Sequence, residues 1–120
     1  ALLAQTRELA LLAPDVARVK WNTRQPVANA RAENAMVAAA AREAAKYKAD
    51  PGLFRDFFSA QIEAAKFVQT KMIEQWREAK APKTMTLTRS PAQIQAASDA
   101  ITPKLMQALA DAARESGLSF

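Results

Sequence analysis

Three polar side chains stand where their helical neighbours are apolar, and together they are the groups best placed to do chemistry. Lys20 shares a face with Leu9, Leu12 and Val16 at steps of three or four. Glu33 heads a face continued by Val37, Ala40 or Ala41, Ala44 and Tyr47. Gln69 interrupts, together with Gln61, a stripe formed by Phe54, Phe58, Ile62, Ala65, Met72 and Trp76. A polar group on an apolar stripe needs a hydrogen-bond partner. Taken singly, the three read as a snorkelling lysine, a half-exposed glutamate and a core amide bonded to backbone. Taken together they describe a polar pocket inside a helical bundle, holding a cation, an amide and a carboxyl. No nucleophile with an adjacent base accompanies them, which argues against covalent or hydrolytic chemistry. Such a set suits binding, or a reaction helped by positioning and electrostatics alone.

The elements that must carry these residues are all helical. Half of the residues are hydrophobic, alanine is abundant and there are only two glycines. The longest element is expected over residues 50–80: Asp50 is a good N-cap, Pro51 suits the first turn, and no breaker follows Gly52 until Pro82. At 1.5 Å per residue it would run roughly 45 Å, and the rest of the chain is expected to wrap it. Phe57, Phe67, Val68 and Ile73 widen its apolar face. Before it, a helix over 2–21 should be kinked or split by Pro14, a loop over 22–29 surrounds Pro26, and a second helix spans 30–49. After it, residues 81–89 form a linker without a clear period. A final helix opens at Ser90-Pro91, bends at Thr102-Pro103 and reaches about Ser116, with Gly117 as its cap. The 120 residues are expected to form one all-α domain with no repeat.

Composition narrows the function. There is no cysteine or histidine, which argues against zinc, haem and catalytic-triad chemistry and leaves no disulfide. No apolar run approaches the roughly 18 residues of a membrane span. The net charge of +5 favours anionic partners, but the positive residues are scattered and no helix-turn-helix or basic-aromatic motif is present, so a nucleic-acid partner is not expected. A small acid is.

With these residues in view, the sequence resembles the all-helical chorismate mutases, in particular their exported, periplasmic subclass. PDVARVKW at 14–21 is similar to that subclass's lysine-bearing helix, and QPVANARAE at 25–33 to its proline loop and the acidic element beyond it. DPGLFRDFFSAQIEAAKFVQ at 50–69 looks like its central helix, and ITPKLMQAL at 101–109 like its last. The resemblance covers roughly residues 5 to 115, four segments in order and at matching spacing. It implies a chorismate-mutase-type bundle built around one long helix, and a cofactor-free Claisen rearrangement of chorismate to prephenate. It also implies a homodimer and a periplasmic or secreted location. The apolar residues Phe54, Phe57, Phe67 and Trp76, more than one helix face needs, agree with a dimer. By the same resemblance Lys20 and Gln69 hydrogen-bond the ether oxygen, where negative charge develops, and Glu33 contacts the substrate hydroxyl. Arginines of the family clamp the two carboxylates.

Several of those clamp positions differ here. The arginine eleven residues before the lysine is Leu9, with Arg7 two residues away and about 200° around the helix. The arginine before the Glu33 position is Ala32, with Arg31 one step earlier; the loop aspartate is Asn29 and the hydroxyl residue of the long helix is Ala65. The arginine of the last helix aligns with Gln95, and Arg89 precedes the cap. Asn29, Arg31, Ala65, Gln95 and Arg7 are thus the substrate-binding candidates. Bidentate arginine–carboxylate pairs are strong, and losing one costs roughly 2–4 kcal/mol of transition-state binding, a factor of tens to several hundred. Three readings follow: a mutase with a rewired clamp, a catalytically degenerate relative kept for binding or partnership, or an unrelated helical adaptor.

Overall fold

The computed structural model describes residues 2–116, and these contain helices, turns and loops without a strand. In chain order the helices are α1 (Leu2–Ala10), α2 (Ala13–Thr23), α3 (Ala30–Glu43), α4 (Pro51–Glu78) and α5 (Pro91–Glu115), with a 3-10 turn at Ala44–Tyr47 between α3 and α4. The molecule is a rod of 50 × 24 × 22 Å. Helix α4 is its spine: α2 and α3 pack along it, while α1 lies on α5.

Local chemistry accounts for the boundaries. The helix expected over 2–21 is split, and the break falls at Leu11–Leu12, ahead of Pro14. A proline ring clashes with the carbonyl four residues back, whereas in a first turn its missing N–H is no loss; Pro14 therefore opens α2 instead of bending α1. Asp50 caps α4 by accepting from the Gly52 N–H at 3.3 Å, with Pro51 in the first turn. Ser90 and Gln93 form a reciprocal capping box at the start of α5. This helix runs through Pro103 and is capped at Ser116; Gly117, the expected cap, lies outside the described residues.

The helix expected over 30–49 needs a correction. Regular α-structure stops at Glu43, the chain tightens into the 3-10 turn, and Lys48 takes a left-handed conformation (φ 54°). Residues preceding a proline avoid the helical region, so the chain must reverse before Asp50-Pro51, and a tightened last turn does this while pairing its carbonyls. Lys48 donates its N–H to Ala45 O at 3.1 Å, and Ala49 to Ala44 O at 3.0 Å.

This reversal builds the apolar core. Ala40, Ala44 and Ala49 are buried, and their small side chains let the end of α3 approach Phe54 of α4 and Met106, Leu109 and Ala110 of α5. Phe54 is fully buried, with ring centroids 6.1 Å from Tyr47 and 6.2 Å from Phe58. It is therefore core and is removed from the set of surplus aromatics that suggested a dimer face. Phe67 and Val68, expected to widen the interior face, are exposed instead, Phe67 at 64%. The α2 and α3 helices leave that side of α4 open. Replacing Phe54 by Ala is expected to cost about 3–5 kcal/mol of stability. In urea unfolding, a loss below about 1 kcal/mol at unchanged slope would contradict the central place given to this ring.

Candidate active site

The polar residues lie farther along α4, beyond the aromatic core. Lys20, on the last turns of α2, directs its Nζ between two oxygens: Gln69 Oε1 at 2.8 Å and the carbonyl of Val27 at 2.7 Å. Gln69 is itself buried, 5% exposed, so the interruption in the α4 stripe is a partner for an ammonium. Burial is the largest influence on Lys20 and lowers its pKa from the usual lysine value; nearby Glu33 opposes this and the second ammonium of Lys66 adds to it. Two elements hold Lys20 in place. The helix end at Arg24 turns through a left-handed conformation (φ 61°), and the loop that follows brings Val27 O back to the ammonium.

Glu33 is held at the start of α3. Asn29 is the N-cap, its Oδ1 accepting from Ala32 N–H at 3.1 Å, and the Asn29 N–H donates to Glu33 Oε2 at 2.7 Å. The other carboxylate oxygen accepts from Lys66 of α4 at 2.8 Å. That bond is the largest cause of a lowered Glu33 pKa, followed by the Asn29 N–H, while Lys66 is raised by its bonds to Glu33 and Glu63. Glu33 is an ionised acceptor here, already engaged by a cation. Lys66 escaped the sequence reading; it lies three residues before Gln69 and four after Ile62, so helical spacing alone places it on the polar side of the same stripe.

The remaining substrate-binding candidates are dispersed. Arg7 and Arg31 are exposed and do not line the cleft that contains Lys20. Gln95 is exposed and donates to Asp99 on its own helix at 2.8 Å. Ala65 is half-buried on α4, and Asn29 serves as the cap just described. Arg89 is committed elsewhere: it pairs at 2.7 Å with Asp15, a buried carboxylate that also takes Arg18 at 3.2 Å. This staple ties α2 to the segment entering α5.

The linker is strapped to α2. Trp21 Nε1 donates to Pro82 O at 2.8 Å, and Asn22 exchanges two bonds with Met85, donating to its carbonyl at 2.8 Å and accepting from its N–H at 2.7 Å. Between the linker, α2 and the last turns of α4 lies an open cleft of about 610 Å³ with Lys20 in its wall. The site thus gathers two ammoniums, an amide and a carboxylate from three helices; of these Lys20 alone lines the cleft, and Glu33 lines a separate small hollow with Ser59 and Ile62. It can orient an anion and stabilise negative charge, and it has no nucleophile paired with a base.

An all-helical bundle of this topology has the fold of solved chorismate mutases. Two solved structures carry the likeness. The crystal structure of chorismate mutase from Burkholderia phymatum matches with a TM-score of 0.86 at 28% identity, over 94% of this chain and 69% of that one. Chorismate mutase from Burkholderia thailandensis matches with a TM-score of 0.77 at 27% identity, over 95% of this chain and 69% of that one. No protein-family model and no curated protein sequence matches the chain. The structural likeness supports the all-helical chorismate mutase family and a chorismate mutase-like function.

The Glu33–Lys66 bond has a defined pH window. A carboxyl whose folded pKa is depressed contributes stability above its unfolded value, here near 4.5, and loses it as pH falls through the folded one. Glu33→Gln is therefore expected to destabilise the protein at neutral pH, and the difference from the unaltered protein should shrink as the medium is acidified below about 4.5. Denaturant midpoints measured against pH test this; a difference that persists unchanged at the acid end would show that the carboxylate charge is not what the site uses.

Proposed function

We propose that this chain catalyses, weakly and without a cofactor, the rearrangement of chorismate to prephenate. The observation that carries the reading is the 2.8 Å contact between a half-buried lysine ammonium and a buried glutamine amide on separate helices. In this reaction the ether C–O bond breaks and a C–C bond forms within one substrate, and negative charge grows on the ether oxygen. Lys20 uses two N–H groups on Gln69 and Val27 and offers the third to that oxygen; the Gln69 NH2 group is the second donor. Both are fixed before the substrate arrives, so little reorganisation is needed as charge develops. Glu33, oriented by Lys66 and Asn29, accepts from the substrate hydroxyl.

The weakness follows from Leu9, Ala32 and Gln95, which cannot form the bidentate carboxylate contacts expected at those positions. A second reading, a degenerate homologue that binds a diacid without rearranging it, draws support from the exposure of Arg31 and the commitment of Gln95 to Asp99. The subclass resemblance further supports an exported protein, which fractionation of the source cells would check. For a homodimer, the support is the apolar surface left on the protomer: Leu3, Leu11, Met36 and Phe67 are each at least 60% exposed. A dimer mass is expected in sedimentation at micromolar concentration, and a monomer throughout would remove that part of the proposal.

Loss of chorismate absorbance measures the reaction directly. Slow turnover is expected, falling by about 100-fold or more in Lys20→Ala, the scale of removing one preorganised donor. The rate should also decline on the alkaline side before an ordinary lysine's 10.5 is reached, because burial lowers the Lys20 pKa. An unchanged rate in Lys20→Ala would refute the assigned mechanism. Absence of turnover with retained diacid binding would select the degenerate reading.

A further inference from the structure

The cleft beside Lys20 has a composition that the reaction as described does not use. Of its eleven lining residues five are cationic, Lys20, Arg24, Arg77, Lys80 and Lys83, and none is acidic. Several cations outside the cleft are met by carboxylates, as in Glu43–Lys46, Glu63–Lys66, Lys71–Glu74 and Asp111–Arg114, whereas none of the five in its wall forms an ion pair among the described residues. A concave wall of one sign focuses the field into the cleft and raises the local concentration of anions.

The cleft also has an aromatic wall. Trp21 of α2 and Trp76 of α4 meet edge to face with ring centroids 5.9 Å apart. The Arg24 guanidinium lies 5.3 Å over the Trp21 ring, and its Nη2 donates to Lys83 O at 3.0 Å. One edge of this fork is therefore fixed and its plane is set before any ligand binds, which reduces the entropy lost on pairing. Arg24 is the left-handed cap residue that ends α2, four positions after Lys20, and Arg77 lies two turns beyond Gln69 on α4. The two guanidiniums thus reach the cleft from different elements, the end of α2 and the last turns of α4.

We propose that this cleft binds a small ring-bearing dicarboxylate, with Arg24 and Arg77 as its carboxylate clamp and the Trp21–Trp76 pair as the surface on which the ring rests. In this arrangement the clamp positions occupied by Leu9, Ala32 and Gln95 are replaced by arginines from a different part of the fold. The proposal deepens the mutase reading and rests on it for the class of ligand. The charge and shape of the cleft are independent of turnover.

Trp21 and Trp76 are the chain's two tryptophans, so tryptophan fluorescence, excited where Tyr47 does not absorb, reports on this cleft. Titration of the full chain with a bicyclic diacid analogue of the rearrangement's transition state is expected to give a saturable change, weakened by added salt. Benzoate, with one carboxylate, should bind more weakly. Arg24→Gln and Arg77→Gln should each raise Kd by roughly 10-fold or more, with unchanged far-UV circular dichroism. Arg55→Gln removes the same charge about 33 Å away along α4 and should leave Kd unaltered. Chorismate turnover is followed separately by absorbance. Arginine-dependent binding without turnover would uphold the clamp and remove the mutase reading. Turnover with no fluorescence response, or with equal Kd in both arginine variants, would overturn the clamp and leave the mutase reading standing.

Discussion

A lysine ammonium that has lost part of its water must find oxygens, and the architecture around Lys20 follows from that need. An unpaired charge in such a position costs several kcal/mol. Lys20 is satisfied by one side chain from α4 and one backbone carbonyl from the loop after α2. These two bonds fix the register of α2 against the long helix and set the course of the loop that leads to Asn29 and Glu33. Because Gln69 is neutral, the pair keeps a net positive charge, and Lys66 close by is offset by Glu33 and Glu63. The centre is therefore electropositive without being overcharged, a suitable environment for a reaction whose transition state concentrates negative charge.

The long helix separates two kinds of packing. Around Phe54 it meets alanines and aromatics, and the close approach there supplies rigidity through dispersion and water exclusion. Around Gln69 it meets polar groups, each with an identified partner. Farther on, near Trp76, it borders a cleft whose other wall is a linker held by the side chains of Trp21, Asn22 and Arg24. The apolar end makes the spine rigid, and the rigid spine lets the polar end hold distances within hydrogen-bond range.

How the positive residues are spent separates structural from functional roles. Arg18 and Arg89 are consumed by one buried carboxylate, Asp15, joining α2 to the entry of α5. Lys66 is consumed by orienting Glu33. The five cations lining the cleft form no ion pair among the described residues, so their charge is open to an anion there.

What could be read directly from the residues was whatever depends on near neighbours in the chain. The caps at Asp50 and Ser90, the prolines that open helices, and the all-helical class follow from interactions spanning three or four positions. Lys20 and Gln69 were conspicuous because a polar residue breaks an apolar period. The partner of each group was decided only by the folded chain. Arg89 against Asp15 and Lys66 against Glu33 join residues dozens of positions apart, and no local period encodes which cation meets which carboxylate. The exposure of Phe67 and the early end of α3 belong to the same class: helical spacing defines a face, but the helices packed against it determine how much of that face is covered. Local sequence set the helices and marked the odd residues; three-dimensional packing assigned their partners, because charge pairing and burial act through space.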